Sequence, residues 1–348
     1  MPRLKPQLHR FALLSALLFL LSSNGFSQAP EYKSIVVFGD SLSDTGNDAQ
    51  LALNTYGFYF PGPVFDYTQG RFTDGLDTFP YAQQYFGVWV EQLATMIPSR
   101  PTITNSLGGG GDYAYGFAFT GSGTTDFSFG PYDITINNVS QQITDYLATN
   151  PKIDKKTLFI VWAGANDVLN ATSAGDVVNA GINQATNVER LVQAGATQII
   201  VPDLPPLGAI PRLNTLGGIS TEATQLSVLY NDTLDAGLGI VRASNPGREL
   251  KLYPMDVFAL FNNIISSPST YGLANVTSSS QGVYPLNPDT YLFWDGLHPT
   301  THGHNILAVT ADQLLVHHEC LADPAAPPDG EAQEADCKYV PVAKGHDQ

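Results

Sequence analysis

Short, continuously apolar runs alternate with longer stretches of helical spacing along most of this 348-residue chain. Residues 34–38, 158–162 (LFIVW), 197–201 (TQIIV) and 250–253 read as strands. Residues 81–97 carry Tyr85, Val88, Trp89, Leu93 and Met96 at helical intervals, and 177–194, 221–243 and 301–317 read as further helices. A strand that is apolar on both faces must be covered on both faces. The pattern therefore predicts an α/β fold with a mostly parallel sheet between helical layers. Ligands of such sheets bind beyond the carboxyl ends of the strands. Ser41, Asn166 and Asp203 directly follow strand ends and are expected on one rim. Two inserts interrupt the alternation. Residues 54–75 hold many aromatics among Gly and Pro, and residues 106–130 are Gly-rich with little charge. The aromatic insert either fills core beneath a long loop or borders a site, where it would bind an acyl chain or stack on sugar rings.

Residues 1–29 read as a signal peptide: Arg3, Lys5 and Arg10 precede the apolar run FALLSALLFLL at 11–21, and small-x-small patterns follow at Gly25–Ser27 and Ser27–Ala29. The run is short for a bilayer span. The expectation is an exported protein, extracellular or periplasmic in a bacterium, with no stable membrane anchor after cleavage. A single domain is expected over residues 30–318 and a tail over 319–348. Cys320 and Cys337 are the only cysteines, and export predicts that they pair and pin this tail. Asn138, Asn170, Asn231 and Asn275 each begin an Asn-x-Ser/Thr sequon. The formal charge of −16 repels phosphate backbones, which argues against nucleic acid as a partner.

Elimination narrows the chemistry. Once His9 leaves with the leader, no histidine precedes His298. In WDGLHPT, residues 294–300, Asp295 lies three residues before His298, close enough to reach a ring nitrogen and hold its tautomer. The same spacing also suits a surface turn with an incidental ion pair. Ser41, in IVVFGDSLSDTGN (35–47), is either the N-cap of a following helix or a nucleophile, and free N–H groups at a helix mouth serve both roles. Asn166, in GAND after the LFIVW run, offers an uncharged NH₂ donor. Gly116, in DYAYGFAF, allows close backbone approach, with Gly109, Gly110 and Gly111 as nearby competitors. Turn chemistry alone also accounts for these glycines and for Asn166.

Taken in order, FGDSLSDTGN, a mid-chain glycine, GAND and DGLHP resemble the blocks of the GDSL, or SGNH, esterase and lipase family. GRFTDG at 70–75 with VWVEQLA at 88–94 is similar to its secreted lipase-type branch. The resemblance implies a flavodoxin-like three-layer α/β/α sandwich. It puts the nucleophile on Ser41, the base on His298 and the orienting carboxylate on Asp295. Oxyanion donors fall on the Ser41 N–H, the Gly116 N–H and the Asn166 side chain. Relatives often carry a second glycine where this chain has Phe117. The implied reaction is ester hydrolysis through an acyl-enzyme, with no metal or organic cofactor. The implied substrates are acyl esters of lipids or small molecules; acetylated polysaccharides are the alternative. Two rival readings remain open. Asp295, His298, His302 and His304 form a short cluster of metal-ligand type, and the chain also suits a non-catalytic secreted binding module.

Overall fold

The computed structural model describes residues 32–75, 84–283 and 287–321. The expected leader and Cys337 lie outside these residues, as does the side chain of Cys320, so the expected disulfide does too.

Four strands form the central sheet: β1 (Ser34–Gly39), β4 (Thr157–Trp162), β5 (Gln198–Pro202) and β6 (Lys251–Met255), in spatial order β1-β4-β5-β6 and all parallel. Every residue of β4 is buried, as its unbroken apolar run requires. Residues 111–115 extend the sheet beyond β1: the Val37 N–H donates to Gly111 O, and the Tyr113 and Tyr115 N–H groups donate to Val37 and Gly39 carbonyls.

Helices cover both faces. α3 (Val139–Thr149), α5 (Ala174–Ala194) and α6 (Gly218–Ser244) pack as one group, and α2 (Trp89–Met96) packs on α8 (Thr301–Leu321). The result is the expected three-layer α/β/α architecture. Shorter helices fill the connections: α1 (Asn47–Tyr56), α4 (Ala165–Leu169) and α7 (Val257–Ser266). α5 begins where its sequence says it should, since the Ser173 side chain accepts from the Asp176 N–H in a capping box. The expected helix at 81–97 is shorter than its periodicity. Gly87 takes φ 76°, so helical geometry starts only at Trp89.

The Gly-rich insert is not featureless. It leads into a hairpin of β2 (Thr124–Phe129) and β3 (Tyr132–Asn137), which turns at Gly130. Phe127, Phe129, Ile134 and Ile136 point inward from it and meet the aromatic insert in a second, smaller core. Phe60 stacks on Phe129 at 3.9 Å between ring centroids. A further parallel pair, β7 (Asn275–Ser279) with β8 (Tyr291–Phe293), sits just before residues 294–300.

Candidate active site

In the β1–β4 register Gly39 is level with Trp162, so both strands end at the same height. Ser41 and Asn166 therefore emerge on one edge of the sheet. Gly39 permits this close pairing, because a Cβ there would sit 2.5 Å from the Trp162 carbonyl oxygen. Ser41 begins no helix and caps none; α1 starts only at Asn47. The side chain of Asp203, on the same rim, turns away and accepts the N–H groups of Val257 and Phe258 at the start of α7.

The back of the chain meets this edge directly. The Ser41 hydroxyl lies 2.9 Å from His298 Nε2, across 257 residues of sequence. His298 Nδ1 lies 2.7 Å from Asp295 Oδ2. Both carboxylate oxygens of Asp295 are saturated. Oδ1 accepts the N–H groups of Leu297 and His298, at 2.7 and 2.6 Å, and Oδ2 accepts the Tyr67 hydroxyl at 2.6 Å besides the imidazole. Burial alone would raise this carboxyl. The neighbouring His298 and the hydrogen bonds it receives outweigh burial and hold it down at about 2. Asp295 is thus a fixed anion, and its bond to Nδ1 leaves Nε2 as an acceptor facing the serine hydroxyl.

The aromatic insert closes over the histidine. The Phe72 ring stacks on His298 at 5.2 Å, and Tyr67 meets it edge-on at 6.5 Å. Next along, the Thr73 hydroxyl donates to Pro299 O, and Asp74 accepts both the N–H and the hydroxyl of Thr301 at the start of α8. Sequence reasoning flagged this insert for its aromatics but assigned no role to Tyr67, Phe72 or Asp74. The aromatic GRFTDG block was the available signal.

A cleft open to solvent has Asp40, Ser41, Asn166 and His298 on its wall. The rest of the wall is largely apolar and includes Leu42, Leu207, Ile210, Phe261, Phe293 and Leu297. Asn166 donates one amide N–H to Ala118 O at 3.1 Å, which leaves the second N–H for another acceptor. Gly116 does not line the cleft. A Cβ there would lie 2.4 Å from Asp48 Oδ2 and 2.5 Å from the Phe72 ring, which explains the glycine. Its N–H lies beside the Asp48 carboxyl, which burial and the Asp44 charge push well above the usual range. Asp40, next to Ser41, is likewise raised by burial to about 7.

The residues of the rival metal-ligand reading disperse. His302 Nδ1 pairs with Asp289 O, and His304 Nδ1 accepts the Trp89 N–H. Among the described residues no three of His, Cys, Asp and Glu converge as ligands.

The chain matches the family model described as GDSL-like lipase/acylhydrolase over residues 35–309. It is similar to the phosphatidylcholine-sterol acyltransferase of Aeromonas hydrophila, at 29% identity over 76% of this chain and 70% of that one. It resembles GDSL esterase/lipase 7 of Arabidopsis thaliana at 26% identity, covering 85% of this chain and 92% of the relative. It also matches an uncharacterised protein of Pseudomonas putida at 29% identity over 89% of this chain; there the match spans 53% of the relative, about half its length.

Proposed function

Since the chain belongs to the GDSL-like lipase/acylhydrolase family and is a carboxylic ester hydrolase, we propose that it is an exported serine esterase working through an acyl-enzyme on esters with acyl chains longer than acetyl. The observation that carries this reading is the unbroken line Ser41–His298–Asp295, hydrogen-bonded at 2.9 and 2.7 Å in a largely apolar cleft.

His298 Nε2 takes the hydroxyl proton as Ser41 Oγ attacks the ester carbonyl. Asp295 stabilises the imidazolium that forms. The proton then passes to the leaving alkoxide, and the acyl group stays on Ser41. Water, deprotonated by His298, releases the acid. The Ser41 N–H and the free amide N–H of Asn166 serve as the oxyanion donors. The Gly116 N–H, which lies beside the Asp48 carboxyl and off the cleft wall, takes no part in this step.

The apolar wall decides between substrates. Each methylene buried there is worth at most about 0.8 kcal/mol, or roughly fourfold in kcat/KM. Hydrolysis of 4-nitrophenyl esters is therefore expected to rise from acetyl through butyryl and hexanoyl. The Ser41→Ala variant is expected to lose roughly four to six powers of ten in kcat. A maximum at acetyl would favour acetylated glycans instead, and near-normal activity in Ser41→Ala would remove the serine mechanism altogether.

A further inference from the structure

We propose that Tyr67, carried by the aromatic insert, is a positioning residue for ester hydrolysis: its hydroxyl clamps Asp295 and sets how strongly that carboxylate holds the imidazolium of His298. This inference rests on the serine-esterase reading above. The Tyr67 hydroxyl donates to Asp295 Oδ2 at 2.6 Å, and this is the oxygen that also receives His298 Nδ1 at 2.7 Å. Two donors on one oxygen compete for its charge, and a charge-assisted O–H···O⁻ bond of this length is among the stronger kinds.

The insert around Tyr67 is itself tied down. Gln281 donates to the carbonyls of Phe65 and Asp66, the two residues just before Tyr67. The Tyr67 N–H donates to Gly62 O, and its ring packs on Phe72 at 5.8 Å. Burial and then the Asp295 charge hold the phenol proton on well above its usual range, so Tyr67 remains a donor at every working pH. A chain of hydrogen bonds thus runs from Tyr67 through Asp295 and His298 to Ser41. The groups facing His298 are Ser41 from the β1 end, Asp295, Tyr67 and the Phe72 ring from the insert, and, at longer range, Asp40 and the ring of His304, which burial keeps neutral down to about pH 3.

Tyr67→Phe keeps the ring and deletes only the hydroxyl. Without it, Asp295 Oδ2 loses one of its two donors, and the carboxylate is held in line with the ring only by His298 Nδ1 and the two backbone N–H groups on Oδ1. The imidazolium then forms against a less firmly placed anion. On a 4-nitrophenyl ester, kcat is expected to fall about tenfold with KM within about twofold. A merely structural role would raise KM or lower the melting temperature and leave kcat unchanged. An unchanged kcat overturns the proposal, as does a loss that appears in KM alone or follows the melting temperature. Ser41→Ala is measured alongside. If it stays active, the esterase reading fails; if it is dead while Tyr67→Phe behaves as the parent, only the Tyr67 proposal fails.

Discussion

At the scale of single residues, the site divides by what local sequence can encode. Ser41, Asp295 and His298 were legible because each sits in a motif with its own local logic. Ser41 follows a strand end, and Asp295 lies three residues before the only histidine block available. Asn166 was legible for the same reason, directly after an apolar strand. Removing its donor tests that placement: Asn166→Ala is expected to lower kcat about a hundredfold to a thousandfold with little change in KM, as loss of one oxyanion donor does. A change confined to KM would show that Asn166 only lines the cleft. Tyr67 was not legible, since its partner Asp295 is 228 residues away and no spacing rule connects them. The same holds for Asp48, whose burial beneath Gly116 follows from the chain path alone.

Elements explain why the aromatic insert mattered more than its composition suggested. Its two readings, core filler and site border, are both realised. Phe60 and Phe65 pack into the second core against the β2–β3 hairpin, while Tyr67 and Phe72 face His298. The hairpin escaped the sequence reading although Phe127, Phe129, Ile134 and Ile136 alternate in step with a strand, because the surrounding glycines masked a period of two. The strands of the main sheet were read to within about two residues because burial on both faces leaves an unbroken apolar run. Beyond the aromatics, Asp74 fastens the insert to α8 by accepting the N–H of Thr301 at 2.6 Å and its hydroxyl at 3.1 Å. It therefore acts as an N-cap supplied from more than two hundred residues away. Asp74→Ala is expected to cost about 1–2 kcal/mol and lower the melting temperature by roughly 3–6 °C. Because α8 begins three residues after His298, kcat should fall as well. Unaltered melting with lost activity would locate the effect in the site and not in the cap.

For the whole molecule, the unusual quantity is the number of carboxyls that folding buries near the carboxyl edge of the sheet. Burial raises Asp40 and Asp203 to about 7, and Asp44, Asp74 and Asp167 to about 6, from an ordinary 3.8. In the unfolded chain these groups ionise near 3.8, whereas the folded protein holds their protons until pH 6 or 7. Between those values the folded state binds more protons, so raising the pH removes stability. Asp40 alone corresponds to roughly 4 kcal/mol across that window. Asp295 has the opposite sign: held at about 2, it contributes stability above pH 3.8 that is lost as the pH falls through 2. The stability maximum is therefore expected near pH 4–5. Thermal melts should show a melting temperature at pH 8 at least about 5 °C below that at pH 5. Self-repulsion from the formal charge of −16 predicts the same direction, but salt at about 0.15 M screens exposed charges and spares buried ones. The slope should therefore persist in salt. It should flatten in Asp40→Asn, which keeps an oxygen for the Leu42 N–H and has no proton to lose. A melting temperature that is level or rises from pH 5 to pH 8 would mean that these carboxylates are ionised in the folded protein and solvated or paired more effectively than their burial implies.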